Sequence, residues 1–392
     1  MNKIAELISR LCPDGVEFKT LDSLVDYVQP GPYIVSSTEY DTHYSTPVLT
    51  AGQSFILGYT NEEEGIYNAS SQKPVIIFDD FTTNFHWVDF DFKVKSSALK
   101  ILKIKDKQEA DFRYIYMAMK TIHFIPTNHM RHWISLYSKF EIPLPPLNIQ
   151  KEIVSILDSF TSLIDKMKQE VEMRKKQMEY YIDKFYGGDF DGMMRLADIP
   201  GNSVVQFSDL GSIIRGKRFV RDDIRTEGQP CIHYGDMYTY YGTKAATAKT
   251  FLERDFPKKM RYAHKGDVVI VGAGENDSDI GVGLVWMGEE PAAVHDACYI
   301  LKHHQIPMYI SYYLRSNIYH QQLKKYVSNG KISSFSAEGL GKVYIPILPE
   351  EKQRQIASIL DTFETYISKL EKMIELRQKQ YEYYREKLLT FE

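Results

Sequence analysis

Two runs of this 392-residue chain carry the residue types that phosphate chemistry uses. Gly211-Ser-Ile-Ile-Arg-Gly216-Lys217-Arg218 has the spacing of a phosphate-binding loop, in which backbone amides and a lysine cradle phosphate oxygens. The next position must then be Ser or Thr to hold Mg²⁺, and it is Arg218, so nucleotide hydrolysis lacks its metal hydroxyl. A basic turn after a strand is the other reading of the same residues. Val269-Ile-Val-Gly272-Ala-Gly274 opens like a dinucleotide fingerprint, but Asp277 stands where the third glycine belongs. His129, His132, His303 and His304 have no cysteine or carboxylate at metal-ligand spacing. There is no Asn-Pro-Pro-aromatic loop of the kind that base N-methylation calls for, and no nucleophile, base and orienting group can be singled out. The chain reads as a non-enzyme.

What remains is a pattern of basic and aromatic loops. Between residues 205 and 265 there are 12 Lys and Arg against 7 Asp and Glu, in a chain whose net charge is −4. Arg215, Lys217, Arg218, Arg221 and Arg225 form the densest group, followed by His233, Tyr234, Tyr238, Tyr240 and Tyr241 and then by Asn276 and Lys331. Nearer the N-terminus the candidates are Tyr44, Gln53, Asn84, His86, Asn128, His129, Arg131, His132 and Trp133. Lys and Arg neutralise phosphates, while Arg, Asn, Gln and His can read base edges in the major groove. A charged loop is more often simply solvated, so DNA contact is assigned first to the Arg215–Arg225 cluster as a group.

The elements that must position these loops are set by a duplication. Residues 140–185 realign on 343–388 without a gap, and 20 of the 46 positions are identical. Both copies run Ile-Pro, Pro, Gln, Ile, Ser-Ile-Leu-Asp, Phe and Tyr-Tyr: Ile142 to Tyr181, then Ile345 to Tyr384. After Pro146 an apolar ladder runs Ile149, Ile153, Ile156, Phe160, Leu163, Met167, Val171, Arg174, Met178, Tyr181, Phe185, which is the seam of a coiled-coil helix with one doubled step of four. The second copy gives Ile356, Ile359, Phe363, Tyr366, Leu370, Ile374, Arg377, Tyr381, Tyr384 and Leu388. Each helix would be roughly 54 Å long, and its natural partner is the other. Short connections favour an antiparallel pair.

The predicted fold is therefore mixed α/β. A first head spans 1–145, a first arm helix 146–187, a second head 188–347 and a second arm helix 348–392, the heads expected at opposite ends of a rod and related by a pseudo-twofold axis. The heads share a faint frame: Val16, Phe18, Leu21 and Ser23 recur as Val205, Phe207, Leu210 and Ser212, and Thr46–Gly52 parallels Gln229–Gly235. No apolar run approaches membrane-spanning length, no leader peptide is evident, and Cys12, Cys231 and Cys298 are unpaired in spacing. A cytoplasmic location is expected. Gln150/Gln353, Lys176/Lys379, Gln177/Gln380 and Glu179/Glu382 are polar in both arms, either as partner-facing residues or as solvated faces.

The duplicated arm, its Ile142-Pro143-Leu-Pro-Pro146 lead-in, its Ser-Ile-Leu-Asp core and its Tyr-Tyr pair, together with Cys12-Pro13-Asp14-Gly15-Val16-Glu17-Phe18, resemble the specificity subunit of type I restriction-modification systems. The resemblance implies that each head is a target-recognition domain reading one half of a split DNA site. It implies as partners double-stranded DNA, two methylation subunits and two restriction subunits. Cofactors are then none in this chain, with S-adenosylmethionine in the methylation partner and ATP and Mg in the restriction partner. The competing reading is a non-catalytic coiled-coil adaptor bridging two protein partners.

Overall fold

The computed structural model describes residues 6, 10–52, 54–126, 130–256, 259–274, 280–328, 330 and 332–391, with Tyr238 by its backbone alone. Gln53, Asn128, His129, Asn276 and Lys331, named above, lie outside the described residues. The chain forms two compact units, Met1–Met167 with Met373–Glu392, and Lys168–Lys372. Two long helices, Leu147–Phe185 and Glu350–Thr390, each contribute one segment to either unit.

In the first unit the strands are β1 (Phe18–Thr20), β2 (Val25–Val28), β3 (Thr46–Leu49), β4 (Ile56–Thr60), β5 (Val75–Asp79), β6 (Phe85–Val88), β7 (Lys93–Val94), β8 (Leu99–Ile104) and β9 (Glu141–Pro143), with helix α1 (Phe112–Met119) after β8. One sheet has the order β2-β8-β5-β6 and a second β4-β3-β7, in which β3 and β7 run parallel. Strand β5 is apolar on both faces, as a central strand between two packed layers must be. Ile76 and Phe78 join the cluster that includes α1 and the arm residues Ile149, Ile153, Leu157, Leu388 and Leu389. Val75 and Ile77 point the other way, into the cluster with Leu49, Phe92 and Val94 of the second sheet.

The second unit repeats this plan. Its strands are β10 (Ser203–Gln206), β11 (Gly211–Arg215), β12 (Gln229–Ile232), β13 (Lys244–Ala245), β14 (Thr250–Leu252), β15 (Tyr262–Ala263), β16 (Val268–Val271), β17 (Ala273–Gly274), β18 (Gly283–Trp286), β19 (Ala292–Val294), β20 (Cys298–His303), β21 (Ser333–Ser334) and β22 (Tyr344–Ile347), with α2 (Tyr234–Thr239) and α3 (Pro307–Tyr313). The order β11-β20-β16-β18-β13 matches β2-β8-β5-β6 with one added edge strand, and β14-β12-β19-β15 matches β4-β3-β7 with another. Thr46–Leu49 and Gln229–Ile232, aligned from sequence, are the same strand in the two plans. Two short helices follow β20: α3 stops at Tyr313 and a further helix starts at Asn317, capped by Ser316.

Within each unit the two arm segments run antiparallel. In the second, Tyr181 meets Phe363, Arg174 lies over the Tyr366 ring and Lys175 pairs with Glu371, so rising numbers on one helix meet falling numbers on the other. In the first, Phe160 meets Tyr384. The seam differs from the sequence-derived ladder by one residue at four places, the half-buried Ile156 giving way to the buried Leu157 at the first. Leu163, Ile359 and Tyr366 are 42%, 44% and 44% exposed, whereas their neighbours Ile164, Leu360 and Ile367 are buried. The second helix then follows a regular three-and-four spacing throughout, and the doubled step of the first moves to Ile149-Ile153-Leu157, which packs in the cluster shared by the head and the end of the second arm helix. Of the two seam arginines, Arg174 bonds Glu170 and Gln177 beneath the Tyr366 ring, and Arg377 is exposed and bonds Gln380.

Candidate nucleic-acid interface

The heads are fixed to the arms by the same bonds twice. Gln150 is fully buried, accepting from the Asp111 amide at 2.8 Å and donating to the Pro145 carbonyl at 2.7 Å. Gln353 accepts from the Ile306 amide at 3.2 Å and donates to the Leu348 carbonyl at 2.7 Å. Tyr114 and Tyr309 each donate a hydroxyl proton to a proline carbonyl, Pro143 and Pro346, at 2.8 Å in both cases. The duplicated Asp158 and Asp361 reach the heads at Arg113 (2.9 Å) and Lys244 (2.9 Å). The partner-facing expectation for Gln150 and Gln353 is thereby corrected: a side-chain amide satisfies the backbone donor and acceptor left open where a helix starts. Lys176, Glu179, Lys379 and Glu382 are exposed, while Gln177 and Gln380 are half-buried acceptors of Arg174 and Arg377.

On the second head, the residues after β11 form a basic surface over an aromatic floor. The loop is pinned by its backbone, with the Gly216 amide donating to Cys298 at 2.9 Å and the Lys217 amide to Val294 at 2.9 Å. A Cβ at Gly216 would lie 2.1 Å from the His295 carbonyl oxygen, so only glycine passes there. The chain then continues to the fully buried Phe219 and a short turn at Arg221–Asp223, not into the helix that a phosphate-binding loop requires. Phe219 stands edge-on to His295 at 5.0 Å, His295 is 4.8 Å from the His233 ring, and the Tyr234 ring lies tilted at 4.5 Å from His233. Arg215, Lys217, Arg218 and Arg221 are exposed and, among the described residues, form no ion pair. Arg215 is oriented by a bond from Nε to the Asp296 carbonyl at 2.8 Å. Arg225 belongs elsewhere, since Glu253 holds it at 2.8 Å.

Both histidines are held neutral. Burial lowers the pKa of His233, and neighbouring His295 and Arg221 lower it further. Burial also lowers that of His295, with Arg218 and Arg215 adding to the effect against Asp296. Each ring accepts at Nδ1, from the Gly235 amide at 3.2 Å and the Ala297 amide at 3.1 Å, and His295 Nε2 donates to the Phe219 carbonyl at 3.1 Å. The uncharged rings thus serve as a scaffold beneath four cations.

The first head has different chemistry in the same frame. Its loop between β2 and β3, residues 29–45, contains no Lys or Arg. Tyr44 is 37% exposed on that loop. Asn84, exposed in the β5–β6 turn, and His86, stacked on Phe55 at 4.7 Å, share a cavity of about 500 Å³ with Lys120 and Arg385. Arg131 is exposed on a separate loop. His132, expected to face DNA, is instead 4% exposed, its amide bonded to the Asp80 carbonyl and its ring against Phe124. Reading the sequence missed His295, Lys120 and Arg385. A strand-by-strand alignment finds the first, because His295 and Lys95 donate the same bond, to Ile232 and Leu49.

Two similarly built heads, each bonded to a duplicated helical arm, thus present unlike loops, basic on the second head and polar on the first. The chain belongs to the type I restriction modification DNA specificity domain family, whose model matches residues 13–173 and 201–378. It is 35% identical to the Type I restriction enzyme EcoR124I/EcoR124II specificity subunit of Escherichia coli, over 96% of this chain and 95% of that protein. It is 27% identical to a putative type I specificity subunit of Haemophilus influenzae, over 96% of each. In fold it is similar to the type I restriction-modification S subunit of M. genitalium, with a TM-score of 0.57, 16% identity and coverage of 95% and 96%. The chain is accordingly a DNA-recognition subunit of the type I restriction-modification class.

Proposed function

We propose that the two heads read the two halves of a bipartite, asymmetric DNA site, and that the arms set the spacing between them. The observation that carries this is the pairing of one backbone plan with two chemistries: four exposed cations on β11 and its loop in the second head, none on the equivalent loop in the first. Equal plans place loops equivalently, and unequal side chains read unequal bases. Arg215, Lys217, Arg218 and Arg221, with Tyr234, contact one half-site; Tyr44, Asn84, His86 and Arg131 contact the other. Arg225 is left out because its charge is already matched by Glu253.

In this reading the chain is non-catalytic, holds no cofactor and works in the cytoplasm with two methylation and two restriction subunits. The methylation subunits supply S-adenosylmethionine, and the restriction subunits ATP and Mg. No helix among the described residues is long and apolar enough to cross a membrane. The docking face on the arms is apolar as well as polar: Met173, Tyr180, Ile359 and Tyr366 are exposed in the second unit, and Leu163, Met373, Leu376 and Tyr383 in the first. Leu163/Tyr366, Met173/Leu376 and Tyr180/Tyr383 are equivalent positions, so the same partner surface is offered twice. The test is selection of randomised duplex DNA by the assembled methyltransferase. Two fixed base clusters at one fixed spacing are expected; one contiguous cluster refutes the reading. Inserting four residues at equivalent points in both arm helices changes the spacing and leaves both clusters intact.

A further inference from the structure

The first head holds a second, unrelated concavity. A cavity of about 590 Å³ lies where Val75, Ile104, the start of α1 and the start of the first arm helix meet. Its lining includes Lys73, Lys103, Lys107, Arg113 and Lys151, and one carboxylate, Asp111. Asp111 is occupied, accepting from the Arg113 and Tyr114 amides as the cap of α1. Arg113 is held over the Trp87 ring at 4.9 Å by its bonds to Asp158. Lys107 donates to the Gln72 carbonyl at 3.2 Å. Lys73, Lys103 and Lys151 form no ion pair among the described residues. The cavity therefore combines uncompensated positive charge with an aromatic wall.

The second head supplies an internal control. The pairings Ile76–Leu102 and Val268–Leu301 align Lys103 with Lys302 and Lys73 with Lys265, while the arm repeat aligns Lys151 with Arg354. All three cations are retained there and all three are neutralised: Lys302 by Asp267 at 2.9 Å, Lys265 by Glu289, and Arg354 by Glu350. Trp87 aligns with Val285. The shared head architecture thus balances these charges, and the first head alone leaves them open beside a tryptophan. Like charges so placed repel one another unless an anion joins them.

We propose that this cavity binds a free nucleotide, its base against Trp87 and its phosphates among Lys73, Lys103 and Lys151. The volume lies within the range of roughly 300–1,000 Å³ typical of small-ligand sites. A DNA duplex is convex and too wide to enter such a cavity, and an acidic peptide would leave the aromatic wall unexplained. The site is independent of the DNA-reading loops, so it stands or falls apart from the bipartite reading.

The experiment titrates the full-length chain with ATP, AMP and inorganic triphosphate, following tryptophan fluorescence and equilibrium dialysis. ATP is expected to bind and to quench fluorescence. Trp87→Phe removes the quench, and Lys103→Ala with Lys151→Ala weakens binding about a hundredfold or more, since two charge-assisted bonds are lost. Lys217→Ala with Arg218→Ala leaves ATP binding unchanged, which separates this cavity from the glycine-rich run at 211–217. Equal affinity for inorganic triphosphate overturns the nucleotide assignment. So does loss of DNA binding without any measurable ATP binding, which would make these lysines contacts to the DNA backbone.

Discussion

Replacing Gln150 by alanine removes one side chain from the junction of head and arm, and its effect separates two readings of the same residue. As a solvated or partner-facing helix residue, Gln150 would tolerate alanine within about 0.5 kcal/mol. In the structure it is fully buried and closes two short bonds, 2.8 Å from the Asp111 amide and 2.7 Å to the Pro145 carbonyl. Each partner left unsatisfied costs about 1–3 kcal/mol, so with two partners the first unit should lose about 2–6 kcal/mol. Glutamate in its place keeps the acceptor but sets a carboxylate against the Pro145 carbonyl, and should destabilise at least as much. The chain has three tryptophans, Trp87 and Trp133 in the first unit and Trp286 in the second. Urea unfolding in a Trp286→Phe background therefore reports on the first unit alone. Glu382→Ala, at an exposed arm position of the same unit, is the control and should leave the midpoint unchanged. An unchanged midpoint in Gln150→Ala, with assembly with the methylation subunit lost, would refute the locking role and restore the partner-facing one.

Further expectations follow from the same geometry. Neutralising Arg215, Lys217 and Arg218 together should weaken DNA binding by the assembled complex and reduce the slope of log K against log salt by about 2–3, at about 0.9 per phosphate contact, whereas Arg225→Ala should change it little. The second unit should lose stability as pH falls below about 6.5. His233 and His295 have folded pKa values below the unfolded one, so the unfolded state binds more protons there, and protonation at Nδ1 breaks the bonds from Gly235 and Ala297. Urea midpoints measured from pH 8 to pH 5 check this, and His295→Asn should flatten the profile. Asp80→Ala should destabilise the first unit by about 3–5 kcal/mol, because it strands the buried Lys100, 3.4 Å away, and frees the Trp133 amide.

The arms were legible because a helix seam imposes a spacing that loops do not, yet the spacing alone left the register open by one residue. Leu163-Ile164, Ile359-Leu360 and Tyr366-Ile367 each offer two adjacent apolar side chains, and either choice satisfies a local pattern. Burial selects Ile164, Leu360 and Ile367, a decision made by the facing helix and the head and so absent from the segment itself. Gln150 and Gln353 were misread for a related reason. A polar helix residue facing a backbone amide is written the same way as one facing water.

In the heads, the central strands Val75–Asp79 and Val268–Val271 could be read from their unbroken apolar runs, whereas sheet order could not, because it depends on pairings between distant segments. The basic surface of the second head was partly legible, as a charge surplus, but not His295 beneath it. His295 and Lys95 occupy one place in the two plans, held by the same backbone bond, and only the bond is common to both. That is a physical reason for the chemistry to diverge at such positions. Where the fold is fixed by main-chain bonds, together with Gln150, Gln353, Asp158 and Asp361 from the arms, loop side chains bear little of the stability. They can change with the DNA sequence being read, so no single chain displays a pattern for them.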